Sequence, residues 1–262
     1  MKKIPYYIKR FIERKNVARL NVAGLSTSGK IKIAGSYFYY HHAKALYDTY
    51  QEIFVRQIYA FKTNNPTPYI IDCGANMGLS TLYFAKQYPN CIIDAYEPEP
   101  PIYTTLTQNV QSYKLSNVTT HCKAVWNEET TLLFYTDSGM GGSIANAYPN
   151  QTPTKVQTEI LANKLNEKVD FLKMDIEGAE YEVLKSCAEK LHNVENIFVE
   201  YHSFINKEQH LEDILQILKK AGFRYHLTQS FSYARPFTDT YLACENMDMA
   251  INIYGYRNKE VT

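Results

Sequence analysis

The sequence predicts an α/β protein: a parallel, doubly wound sheet preceded by an N-terminal extension. Three observations carry this expectation. From Tyr69 onward, short apolar runs rich in β-branched residues alternate with helical patterns, and strands joined by crossover helices run parallel. The first of those runs, IIDCGANMGLS at 70–80, turns on two glycines into a helix. Residues 1–66 lack the alternation and end on a break at Asn64, Asn65, Pro66 and Pro68. The 262-residue chain is therefore divided into an extension or cap, residues 1–66, and a main domain, residues 67–262.

Within the extension, the basic segment KKIPYYIKRFIERKNVARL carries Ile4, Ile8, Phe11 and Ile12 at helical spacing. That pattern suits a helix making peripheral contact with a membrane surface, or a helix packed on its own domain. The shortness of the apolar face favours packing. In GLSTSGKIKIAGSYFYY, Gly24, Gly29 and Lys30 match a phosphate-binding loop, but Ile31 stands where a Ser or Thr should hold magnesium. A strand pattern follows where such a loop needs a helix, so residues 24–29 are read as a turn between two strands. Residues 42–61 turn helical, with Ala45, Ile53, Ile58 and other apolar residues at three- and four-residue spacings. The adjacent His41 and His42 lack a helical metal-ligand spacing and are placed on the surface.

In the main domain, strands are expected over 69–72, 91–96, 118–125, 132–136, 169–174 and 197–201. Helices are expected over 79–87, 102–113, 179–188 and 210–221. A Gly-rich stretch, DSGMGGSIAN, reads as a mobile segment. The end of the chain, with FRYHLTQ, TYLACEN and AINIYGY, reads as antiparallel strands.

Composition narrows the function classes. Hydrophobic residues make up 45% and charged residues 21%, ordinary for a soluble globular chain. A net charge of +1 offers no electrostatic footprint for nucleic acid. The five cysteines, Cys73, Cys91, Cys122, Cys187 and Cys244, are odd in number and lack CxxC spacing. They argue against a disulfide framework or zinc knuckle and fit a reducing cytoplasm. No apolar run approaches the ~20 residues of a membrane span. The N-terminus has no apolar signal core, so a cytoplasmic location is expected.

The charges around the glycine turn say what it should hold. Nicotinamide and flavin sites want G-x-G-x-x-G. Here Gly74 and Gly78 are four apart, Asn76 lies between them, and Asp72 ends the strand, where it would repel a pyrophosphate. An acid there suits a ligand with a cationic amino-acid end, as in S-adenosylmethionine (SAM). The glycines would let backbone approach the ligand, and the helix N-terminus would favour its carboxylate. Glu97 ends the second strand, 25 residues after Asp72, and is placed to accept both ribose hydroxyls. Asp94 lies mid-strand and is the poorer candidate. The adenine is expected near Ala124, Val125 and Trp126, with Trp126 either stacked on the ring or part of the core.

Three runs, IIDCGANMGLSTLYFA, AYEPEP and KMDIEGAEYEVLK, together resemble the FkbM family of SAM-dependent methyltransferases in order and spacing. The resemblance covers about residues 68–256, and its specific part is the D-I-E-G-A-E run. It implies a Rossmann-like, seven-stranded sheet of the class I methyltransferase type. It also implies an O-methyltransferase, since members of that family methylate hydroxyls of macrolide-type natural products and of sugars or glycans. Asn76 in place of a middle glycine is the family's usual form.

A hydroxyl is a weak nucleophile until its proton has somewhere to go. Ligands of open α/β sheets sit beyond the carboxyl ends of the strands, where Asp175, Glu177, Glu200 and His202 are expected. Glu200 and His202, two apart, share a strand face. His202 is taken as the base, with its unperturbed pKa of about 6.5, and Asp175 and Glu177 are the rivals. Bland alternatives stand beside these: Asp175 as a helix cap, His202 as an ordinary surface histidine, Glu180 as structural. The acids could also bind a divalent ion that acidifies the hydroxyl, but no ligand set of convincing spacing is seen and no metal ligand is assigned. The expected acceptor is a sugar in a glycan or glycan precursor. The alternatives are a polyketide-like small molecule and a non-catalytic SAM-binding module; intact Asp72, Gly74, Gly78 and Glu97 speak against the module.

Overall fold

The structure, a computed structural model, describes residues 6–22, 27–136, 142–143, 153–205, 207–238 and 247–257. The chain begins with α1 (Tyr6–Ala18) and a 3-10 turn (Arg19–Val22). A hairpin of β1 (Gly29–Ile33) and β2 (Ser36–Tyr40) follows, then α2 (Ala43–Tyr50), which continues as a π-helix over Gln51–Arg56. Next come β3 (Tyr69–Cys73), α3 (Leu79–Gln87), β4 (Ile92–Tyr96), α4 (Pro100–Ser112) and β5 (Val118–His121). They are followed by β6 (Ala124–Trp126), β7 (Thr131–Thr136), β8 (Gly142–Ser143), β9 (Thr154–Ile160) and α5 (Leu161–Lys164). The last part holds β10 (Val169–Met174), α6 (Glu180–Cys187), β11 (Val194–Phe204), α7 (Leu211–Lys220), β12 (Arg224–Ser232) and β13 (Met247–Tyr256).

Seven strands form one mixed sheet in the order β12-β13-β11-β10-β3-β4-β5, as expected. The five strands from β11 to β5 are parallel, and β13 is antiparallel to both β11 and β12. The chain winds outward from β3 to β5 and returns across β3 to β10. The β3/β10 pair is therefore the switch point, beyond whose carboxyl ends such folds bind ligands. β10 is buried along its whole length and β3 along all but its first residue, as parallel strands covered on both faces must be. Charged residues interrupt both strands, and the register sets Lys173 beside Asp72. Their ion pair, at 3.6 Å, follows from that alignment.

The N-terminal third packs into the same core. Val17, Ile33, Phe38 and Leu46 share one apolar cluster with Ile70 and Leu82. The hairpin turns at Ala34 and Gly35, whose φ values are +46° and +95°, the left-handed pair that suits the twist of a two-residue turn. Asn109 of α4 seats it: its amide accepts from Tyr39 N–H at 2.7 Å and donates to the Tyr39 carbonyl at 3.0 Å. Glu13 of α1 accepts from Ala34 N–H and from the Tyr50 hydroxyl, each at 2.7 Å.

Several expectations are corrected. Of the expected turn at 24–29, residues 24–26 lie outside the described residues and Gly29 already belongs to β1; a 3-10 turn rather than a strand ends at Val22, and the turn between β1 and β2 lies at 34–35. On α1, Phe11 and Ile12 are 58% and 46% exposed while Val17 is buried, as is Leu20 of the 3-10 turn that follows. His41 is half-buried, with Nε2 2.5 Å from Thr105 Oγ1. The run 118–125 is two strands: β5 is the edge of the large sheet, and after it the chain leaves, so that β6 joins β9 in a second, four-stranded sheet, β6-β9-β7-β8. The Gly-rich stretch, apart from 142–143, and TYLACEN lie outside the described residues. Among the described residues no helix is long and apolar enough to cross a membrane.

Candidate active site

The turn after β3 is shaped by two close approaches. Gly74 has φ +79°, and a Cβ there would come within 1.8 Å of the Asp175 carbonyl oxygen. Gly78 has φ +89°, and its Cβ would meet Leu106 Cδ1 at 2.7 Å. Gly74 thus lets the turn cross the end of β10, and Gly78 lets α3 start against α4. Both approaches are to the protein itself, where the sequence pattern pointed to a ligand.

Asp72 is wholly buried. Its Oδ2 accepts from Ser80 Oγ and Thr81 Oγ1, each at 2.7 Å, which anchors the first turn of α3. Its Oδ1 makes no hydrogen bond and faces Lys173 Nζ. Lys173 donates to the carbonyls of Gly74 at 2.5 Å and Cys73 at 3.3 Å, and pairs with Asp175 Oδ2 at 3.2 Å. Burial alone would lower the Lys173 pKa, but the charges of Asp175 and Asp72 more than offset it and hold the ammonium above its ordinary value.

Glu97, at the end of β4, is buried. Its Oε1 accepts from Glu99 N–H at 2.9 Å and its Oε2 from Asn76 N–H at 3.0 Å. Asn76 is left-handed, φ +49°, and its Oδ1 accepts from Met77 N–H at 2.7 Å. Glu97 therefore ties the glycine turn to β4, using two of a carboxylate's roughly four acceptor positions. Burial pushes its pKa up to about 7; the N–H groups of Glu99 and Asn76 and the charge of Lys173 oppose the rise, and the Glu99 charge adds to it.

Beyond the strand ends lies a cavity of about 240 Å³. Gly74, Asn76, Glu97 and Val125 line it, as do Asp175, Glu177, Glu200 and His202. Asp72, Gly78 and Trp126 do not line it. Trp126 packs against the core cluster that contains Leu172 and Val199. Among the lining groups not singled out from the sequence are Lys173, Phe134 of β7, and Glu52 of the π-helix. A lysine near the carboxyl end of a mostly apolar strand was the signal available for Lys173; for Glu52 there was none.

Asp175 and Glu177 stand on the turn from β10 to α6. Glu177 is left-handed, φ +56°, a conformation that costs a non-glycine residue about 1–3 kcal/mol and persists where its surroundings impose it. Glu180, 1% exposed, accepts from Ile176 N–H at 3.2 Å and Gly178 N–H at 3.0 Å, and so holds the turn. The N-cap residue of α6 is Ala179, so Asp175 is not the cap. β11 outruns β10 because β13 continues to pair it, with His202 opposite Ala250. His202 is buried; its Nδ1 lies 3.0 Å from Glu180 Oε1 and its Nε2 3.5 Å from Glu177 Oε2.

Electrostatics follow from this crowding. Burial lowers the His202 pKa, but Glu177 and Glu180 outweigh it and raise the pKa well above the ordinary value. Burial pushes Glu177 up to about 8, with His202 opposing and Asp175, Glu180 and Glu200 adding. Protein encloses its side chain, yet 26% stays accessible through the cavity. Glu200 is pushed up to about 7 by burial and by Asp175, and its Oε1 accepts from Ser230 Oγ at 2.6 Å.

The chain and its fold find counterparts among known proteins. The Methyltransferase FkbM domain matches residues 72–225, more than half of the chain. The chain belongs to this family and is a SAM-dependent methyltransferase. It is similar to Methyltransferase 1 of Beauveria bassiana (strain ARSEF 2860), 27% identical over 177 residues that span 58% of this chain and 71% of that one. Methyltransferase sdnD of Sordaria araneosa is 29% identical over 188 residues, 58% of this chain and 73% of its own. The crystal structure of methyltransferase FkbM from Methylobacillus flagellatus KT shares the fold, with a TM-score of 0.50 and 13% identity over 94% of this chain and 59% of that one.

Proposed function

We propose that the chain transfers the SAM methyl group to a hydroxyl of a sugar, in a glycan or glycan precursor. The supporting observation is the set of acceptors that line the cavity apart from Glu97 and the glycine turn. Glu52, Asp175, Glu177 and Glu200 place four carboxylates there, beside His202. A sugar brings several O–H donors without charge, and hydrogen bonds to carboxylates are among the strong ones. A mostly apolar, polyketide-like acceptor would leave the same carboxylates desolvated and unpaired. The net charge of +1 gives nucleic acid nothing comparable.

The residues present fit SAM. Glu97 keeps two acceptor positions for the ribose hydroxyls, Gly74 and Asn76 would border the amino-acid portion, and Val125 and Phe134 would border the adenine. Asp72 would act from behind, through α3 and Lys173. When bound, SAM supplies an electrophilic methyl group. The chain's part is to align a hydroxyl and take its proton. Glu177 is the better placed for the proton. Its side chain is 26% exposed to the cavity against 5% for His202, whose Nδ1 is turned into Glu180. His202 then orients the Glu177 carboxylate from behind.

Methyl-labelled SAM, incubated with the protein and a panel of oligosaccharides, macrolides and amines, tests this reading. Label on a sugar hydroxyl is expected. Label on a macrolide alone would replace the acceptor class, and SAM binding with no transfer would point to a binding module.

A further inference from the structure

The acceptor end holds a donor set that methyl transfer alone does not require. One oxygen of Asp175, one of Glu177 and one ring nitrogen of His202 lie within 4.8 Å of one another. They come from the β10–α6 turn and from β11, 25 or more residues apart in sequence, which hides the set from any reading of local spacing. Two carboxylates and one imidazole, with further positions open to water or ligand, suit a divalent ion of the Mn²⁺ kind.

The histidine adds a separate observation. It is 7% exposed and lines the cavity, and its Nε2 lies 3.5 Å from Glu177 Oε2, a pair that a shared cation would bridge once the imidazole gives up its Nε2 proton. Its Nδ1 is engaged by Glu180, which is itself held by two backbone N–H groups. A carboxylate on one ring nitrogen sets the tautomer that presents the other nitrogen's lone pair, the arrangement by which metal-ligating histidines are oriented. Charge points the same way. Asp72, Asp175, Glu177, Glu180 and Glu200 gather here, and among the described residues Lys173 and His202 are the basic groups ion-paired with this cluster, while Lys123, which also lines the cavity, pairs with Glu159. Lys173 takes Asp175 Oδ2, which leaves that carboxylate's other oxygen for an ion.

We propose that the chain binds one divalent cation through Asp175, Glu177 and His202, with Glu180 orienting the histidine, and that the cation's open positions take the acceptor's hydroxyl. The last part rests on the hydroxyl acceptor proposed above; the binding does not. A bound cation lowers the pKa of a coordinated hydroxyl, and Glu177, which lines the cavity and is 26% exposed, is placed to receive the proton.

Full-length protein, stripped with chelator and titrated with Mn²⁺ without SAM or acceptor, tests the site. Electron paramagnetic resonance should show a single class of bound Mn²⁺ with nitrogen modulation from the imidazole. His202→Gln should abolish the modulation. Glu177→Gln, at a more exposed position, should weaken binding about tenfold or more, and Glu180→Gln about 10–100-fold. Circular dichroism checks that each variant folds. No binding at millimolar Mn²⁺, binding without nitrogen modulation, or binding unchanged in Glu177→Gln would overturn the site. Sugar methylation by protein that binds no Mn²⁺ would sink this inference and leave the proposed function standing. Amine methylation by protein that binds Mn²⁺ with the imidazole would do the reverse.

Discussion

The two ends of the cavity are built in different ways. Near the glycine turn, one acid, Glu97, meets two backbone N–H groups, and the whole arrangement comes from two neighbouring strand ends. At the other end, side chains from the π-helix, the β10–α6 turn and β11 converge, with Ser230 of β12 behind Glu200. Their charges are met mostly by other side chains. The first end is therefore a positioning device whose acid is already satisfied. The second concentrates unneutralised acid, strained backbone at Glu177 and an oriented imidazole, the features expected where a proton or an ion is handled.

This contrast is broken or sharpened by variants at each end and between them. The largest effect is expected for Glu177→Gln. Methyl transfer in a single turnover at saturating SAM should fall by ~10²–10⁴, using the acceptor identified by the labelled-SAM panel. A rate near wild type would return the proton to His202 or Asp175. Lys173 links the two ends, so its removal should be felt in stability rather than at either end alone. Lys173→Ala leaves Asp72 buried beside an empty position and should cost about 3–5 kcal/mol in urea unfolding. A loss below about 1 kcal/mol would mean that Ser80 and Thr81 alone satisfy Asp72.

The smallest effect is a pH dependence confined to the Glu97 end. The groups facing Glu97 are Glu99, Lys173 and the N–H groups of Glu99 and Asn76. Its pKa, pushed up to about 7, leaves it largely protonated below that pH in the free protein. Ribose hydroxyls are accepted best by the ionised form, so binding favours loss of the proton. SAM affinity should thus be full above pH 7 and fall below it, toward about tenfold per pH unit. Glu97→Gln should flatten this dependence in titrations across pH 5.5–8.5.

The fold was legible wherever burial imposes a simple pattern. β3, α3 and β10 read clearly because strands covered on both faces become apolar runs and the helix between them is bounded by Gly78 and Pro89. β9 escaped because TKVQTEI buries only Val156 and Thr158, too little for a strand signal amid polar residues. At the site, Gly74, Asn76 and Glu97 were legible because one turn and one strand end position them. The roles of Asp72 and Gly78 were not, since what they touch, Lys173 and Leu106, depends on register and helix packing. Asp175, Glu177 and His202 were read to the carboxyl edge of the sheet one by one, but not as one ligand set, because their distances are made by the β10–β11 alignment and by β13 extending β11.

Under the proposed function the two ends divide the labour, one holding the cofactor and the other doing the chemistry. Titration calorimetry of SAM against Glu97→Ala and Glu177→Gln tests this division without any acceptor. Glu97→Ala removes two charge-assisted hydrogen bonds, worth about 1.5–3 kcal/mol each before water compensates, so SAM affinity should drop tenfold or more, by about 1.4 kcal/mol at least. Glu177→Gln should bind SAM as the unaltered protein does. Equal loss of affinity in both variants, or loss in Glu177→Gln alone, would contradict the division.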